Sequence, residues 1–157
     1  MIYAVCLSLL TVTILAFFAI ARGNYSNFGK TQVLLKVLVA LPLLLSGVAL
    51  HFFRAHLTAS IIPPFYPARL SLAVFTGIAE IAGGIGLFVP RLQRSAALWI
   101  AIMMIAIFPA NIYSAGQIID GFQFPGVPVR ITTQVVYIVF VLLSGYGLPW
   151  FAADPES

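Results

Sequence analysis

In the stretch FTGIAEIAGGIGLFVPRLQR one carboxylate, Glu80, interrupts residues 75–90, which are otherwise apolar, small or only weakly polar. The chain carries four acidic side chains, and the other three, Asp120, Asp154 and Glu156, lie in turn-like or terminal polar segments. A carboxyl group among apolar neighbours can hold and pass a proton, accept hydrogen bonds from a ligand, or tie helices together. Other reactive side chains are scarce: two histidines, His51 and His56, and one cysteine, Cys6. A lone cysteine forms no internal disulfide and no CxxC pair, and cannot build a thiolate metal site by itself. No HExxH, GxSxG or Walker pattern occurs, so no metal, nucleophile or phosphate-binding motif is assigned.

The surroundings of Glu80 follow from composition. Hydrophobic residues make up 62% of the 157 and charged residues 8%, against roughly a quarter charged in soluble domains. With a mean hydropathy of +1.08, this places the chain in a lipid bilayer as a single transmembrane domain over 1–157. The lipid bilayer is therefore its first partner. The net charge of +4 comes from Lys and Arg at the ends of apolar runs rather than in a stripe, which signals topology and not a nucleic-acid partner.

Five apolar segments of spanning length are read at about 2–21, 32–53, 70–89, 95–115 and 130–149. Each is too long and too continuously apolar for a barrel strand, and only a helix satisfies its own backbone in lipid. The fold expected is an all-α polytopic membrane helix bundle. Polar or Pro- and Gly-rich stretches separate the spans: RGNYSNFGKT, IIPPFYPAR, PRLQR and GQIIDGFQFPGVP. The AIA at 19–21 imitates a signal-peptidase site, but the first segment lacks a basic start and is long enough to span, so it counts as a helix. With the N-terminus outside, Arg22, Lys30, Lys36, Arg91 and Arg94 fall inside and Arg54, Arg69 and Arg130 outside. The excess favours N-out, C-in, with Trp99 and Trp150 at the inner boundary.

Depth arithmetic at about 1.5 Å per residue brings the polar groups into one half of the membrane. His51 ends the second span near the outer surface, and Glu80 lies close to the midplane. Asn111 follows Pro109, which breaks the backbone ladder of the fourth span, and Arg130, Gln134 and Tyr137 descend at helical spacing in the fifth. Gly77, Gly83, Gly84 and Gly86 give Glu80 a small-residue surface suited to helix packing, so it should point into the bundle. Its expected partners are His51, Asn111, Gln134, Tyr137 or Arg130. Two readings stay open for the acid: interhelical glue, or a proton-carrying, ligand-binding or catalytic group.

The order SGVALHFF, IIPPFYP, GIAEIAGGIGLFVPRLQR, FPANIYSA resembles the DoxX-like family of small integral membrane proteins, in which His-Phe ends one helix, Glu precedes a Gly pair and Asn follows Pro-Ala. The matching positions are His51, Glu80, Gly83, Gly84, Pro109, Asn111 and Tyr113. The resemblance implies a four-helix core from the second to fifth spans, with the first span added at the N-terminus, in a bacterial inner membrane. It also implies a link to membrane oxidoreductases, DoxD relatives being associated with thiosulfate:quinone oxidoreductase. In that reading Glu80 is the catalytic acid that relays a proton, while His51 and Asn111 bond the carbonyl oxygens of a quinone. Tyr113, Gln134, Tyr137 and Arg130 line the same small polar pocket, and electrons come from a redox partner protein. The alternatives are a proton-coupled small-solute transporter and a non-catalytic membrane subunit or chaperone. A reporter fused after Ser157 is expected to read as cytoplasmic; a periplasmic readout contradicts the N-out, C-in model of five spans and reopens the count.

Overall fold

The computed structural model describes residues 28–119 and 121–147. The expected span at 2–21, with Cys6, lies outside them, as does Trp150. The second span forms α1 (Phe28–Ala49), starting and ending about a turn earlier than expected. A short α2 (Ala55–Ser60) follows, then the third span as α3 (Arg69–Gly86). The fourth is broken into α4 (Gln93–Ala106) and α5 (Phe108–Tyr113), and the fifth is α6 (Val127–Tyr146). A short hairpin, β1 (Ile118–Ile119) against antiparallel β2 (Phe122–Gln123), lies in the Gly- and Pro-rich stretch between the fourth and fifth spans. Its turn carries Gly121 at φ 76°, the left-handed conformation that tight hairpins require.

Sequence chemistry explains these boundaries. Pro109 has no N–H to return to the preceding turn, so the fourth span breaks at Ile107 and restarts with Pro109 in the first turn of α5. α1 widens as it ends: the N–H groups of His51 and Phe53 reach five residues back, to the carbonyls of Ser46 and Val48 at 3.3 Å. Entry to α3 passes through Ala68 at φ 52°, a left-handed residue directly after Pro67.

Neighbouring helices run antiparallel in a closed ring, α1 packing on α3 and α6, and α4 on the same two; α2 lies against α3. Connections 50–68 and 114–126 therefore sit at one end, called the His51 end, and connection 87–92 at the other, the Gln93 end. At the latter, Lys36 Nζ donates to Gln93 Oε1 across α1 and α4 at 2.6 Å. Leu35, Val39, Leu43, Leu87, Ile100 and Val141 fill the core.

The outward faces are as apolar as the core. Val33, Val37, Leu41 and Leu45 stand exposed along α1, Phe75, Ile78 and Ile85 along α3, and Trp99 is 68% exposed on α4. Apolar surface this continuous requires lipid around it. α1, α3 and α6 are long and apolar enough to cross a bilayer, while α4, the longer piece of the broken fourth span, is shorter. The chain is a mostly helical membrane protein.

Close approach at the α4–α6 crossing depends on Gly145, where an added Cβ would lie 2.3 Å from Ala97 Cβ and 2.8 Å from the Gln93 carbonyl oxygen. Gly145→Ala is expected to lower stability in detergent by about 1–3 kcal/mol. Gly126→Ala, whose Cβ would meet nothing closer than Pro128 Cδ at 3.9 Å, should stay within about 0.5 kcal/mol of wild type. Equal unfolding transitions for the two variants would contradict this packing.

Candidate functional site

Glu80 points into the bundle and is 6% exposed. It sits on the α3 face that also carries Ala73, Gly77 and Gly84, all buried. Gly77 permits the close approach of the turn after α1: a Cβ there would stand 2.3 Å from His51 Cβ. His51 accordingly packs directly against α3. The widened end of α1 swings it back onto α3, where it is buried at 8% exposure.

Among the described residues, two side chains reach the Glu80 carboxyl. Ser46 on α1 forms a short hydrogen bond to Oε2, and its hydroxyl also lies 3.4 Å from the Leu43 carbonyl. His51 Nε2 stands 3.6 Å from Oε1, within ion-pair range and longer than a direct hydrogen bond. The other ring nitrogen is committed: Nδ1 is 2.5 Å from the Ala73 carbonyl oxygen and 3.0 Å from Thr76 Oγ1. Thr76 in turn donates to the carbonyls of Leu72 and Ala73, at 3.0 and 2.8 Å.

This geometry settles a tautomer by chemistry. A carbonyl oxygen only accepts, so Nδ1 carries a hydrogen and Nε2 is the nitrogen that faces the acid. One proton then has two resting places, Oε1–H beside a bare Nε2, or a carboxylate beside Nε2–H of an imidazolium. Either leaves the pair neutral overall, which an apolar interior favours over a lone charge. Ser46 serves both, donating to a carboxylate or accepting from a carboxylic acid. The proton can pass between the two groups without a net charge arising in the membrane, whereas release to or uptake from a third group changes the charge of the pair by one.

Asn111, Gln134 and Arg130 form a second group, hydrogen-bonded to one another. Asn111 Nδ2 donates to Gln134 Oε1 at 2.7 Å, and Arg130 Nη1 donates to Asn111 Oδ1 at 2.8 Å. The Arg130 guanidinium also stacks over Phe124, 4.9 Å from the ring centroid. Gln134 Nε2 donates to the carbonyl of Met104, in the last turn of α4, so the ladder interrupted near Pro109 is repaired from α6. Tyr137 lies between the groups: its hydroxyl donates to the Val39 carbonyl at 2.6 Å, and it is close enough to Glu80 for the two to interact electrostatically. Tyr113 is 39% exposed and belongs to neither group.

Ser46 and Thr76 were not anticipated from the sequence. Thr76 stands four residues before Glu80 on α3, a spacing that puts both on one side of a helix, so a signal for it existed. Ser46 directly precedes Gly47 in SGVALH, but its approach to Glu80 depends on how α1 is rotated against α3. Among the described residues, no group of three or more His, Cys, Asp and Glu could hold a metal ion.

No curated protein and no solved structure matches the chain. One family model does match, over residues 38–144, the stretch that contains Glu80, His51 and both polar groups. The chain therefore belongs to the family described as a domain of unknown function, DUF8561.

Proposed function

We propose that the chain is a DoxX-like protein of the bacterial inner membrane, N-out and C-in, in which α1, α3, α4–α5 and α6 are the four-helix core and the first span is an added helix. Its His51–Glu80 pair exchanges a proton with a small redox-linked molecule of the quinone class. The observation that carries this reading is the bond from His51 Nδ1–H to the Ala73 carbonyl, which turns Nε2 toward Glu80 and gives the pair one mobile proton. Conversion of a quinone to a quinol takes up two electrons and two protons. A redox partner protein supplies the electrons, and Glu80 passes protons one at a time as the catalytic acid. Asn111 spends one amide hydrogen on Gln134, and its second is the donor assigned to a ring carbonyl.

A proton-coupled transporter is the second reading, favoured by the broken fourth span and the Met104 carbonyl held by a side chain. Purified protein is expected to retain a quinone identifiable by mass spectrometry, with binding linked to proton uptake. Glu80→Gln keeps the size and most of the hydrogen bonding of the neutral acid. It should fold, lose the proton linkage and bind at least about tenfold more weakly. Unchanged, proton-linked binding in Glu80→Gln contradicts a catalytic acid and leaves Glu80 as interhelical glue. Uptake into liposomes driven by a pH gradient, with no quinone retained, supports transport instead.

A further inference from the structure

We infer that the His51–Glu80 pair exchanges its proton with one side of the membrane only, the side at the His51 end, by way of Thr76 and the turn after α1, and is sealed from the Gln93 end. The inference rests on reading the pair as a proton-exchanging site and adds the direction of access.

The interior is polar on one side of Glu80 and apolar on the other. Toward the His51 end, His51 bridges the acid to Thr76, whose hydroxyl donates to the Leu72 carbonyl one helical turn nearer the start of α3. Thr76 is half-buried, one helical turn from Glu80 and seven residues, about 10 Å, from the start of α3 at Arg69. Asn111, Gln134 and Arg130 lie on the same side.

Toward the Gln93 end, Leu35, Val39, Leu43, Leu87, Ile100 and Val141 form a layer in which each is 3% exposed or less. Protons cross such a layer only along water or polar groups, and apolar interiors stay dry. Ser144 turns its hydroxyl onto the Val141 carbonyl of its own helix. Tyr137 is the titratable group that α6 presents to Glu80, and its hydrogen is committed to the Val39 carbonyl. From α1 the acid meets Ser46, and from the turn that follows, His51. The Lys36–Gln93 bond lies beyond the layer.

The test uses the full chain with Cys6→Ala in sealed membranes, carrying Thr76→Cys or Val39→Cys, and a membrane-impermeant methanethiosulfonate added to one side at a time. Such reagents attack thiolates, which form in water and not in dry apolar surroundings. Thr76→Cys is expected to react from the His51-end side at least about tenfold faster than from the other, with Val39→Cys inert from both. Inertness of Thr76→Cys from both sides, or labelling of Val39→Cys from the Gln93-end side, overturns the inference. Wild-type protein in uniformly oriented sealed vesicles gives a reading free of variant folding. The infrared carboxyl band of Glu80 should respond to acid at the His51 end alone, and a response to the Gln93 end overturns the inference. Labelling does not sense quinone, so its failure is distinct from failure of the proposed function, which rests on retained ligand.

Discussion

A carboxyl group at the centre of an apolar bundle has to be compensated where it stands. An unpaired charge there costs several kcal/mol, and removing one partner of a buried pair typically costs about 3–5 kcal/mol. Glu80 meets this constraint through His51 and Ser46, both supplied by the last turns of α1 and the residues just after it. The compensation requires backbone contact rather than long side chains. Gly77 lets His51 Cβ approach α3, and the widening of α1 at Ser46 and Val48 turns the ring inward. The α1–α3 crossing and the chemistry of the acid are therefore one feature.

The hydrogen bonds around His51 form a chain in which each acceptor fixes the role of the next group. Backbone carbonyls of Leu72 and Ala73 take the Thr76 hydroxyl hydrogen, the Ala73 carbonyl takes the Nδ1 hydrogen, and Nε2 is left for the acid. An imidazole whose far nitrogen is anchored in this way is oriented as well as charged or neutral by choice of a single proton. The second polar group works differently. Arg130, Asn111 and Gln134 use their polarity on one another and on the Met104 carbonyl, bracing the break in the fourth span.

Much of this was legible in the sequence, for physical reasons that can be named. Hydropathy located α1, α3 and α6, because in lipid each helix must be apolar along its length. Glu80 among glycines pointed inward since a carboxyl facing lipid is costly, and Pro109 marked the break through its missing N–H. Pairing was legible only in part: His51 stood among the expected partners of Glu80 and does face it. Which polar group meets Glu80 depends on helix rotation and on how α1 ends, and neither is encoded in local pattern. Asn111 and Gln134, expected to meet the acid, bond one another instead, and Ser46 was overlooked.

The shared proton of His51 and Glu80 is tested most directly by nitrogen NMR of the histidine in bilayers. A His56→Gln chain labelled with 15N-histidine has a single imidazole, so both ring signals belong to His51. With Nδ1–H held by the Ala73 carbonyl, Nδ1 should be protonated at neutral pH, and the Nε2 signal should move when Glu80→Gln is introduced. A bare Nδ1 with hydrogen on Nε2, unaffected by Glu80→Gln, would contradict the pairing on which the site is built.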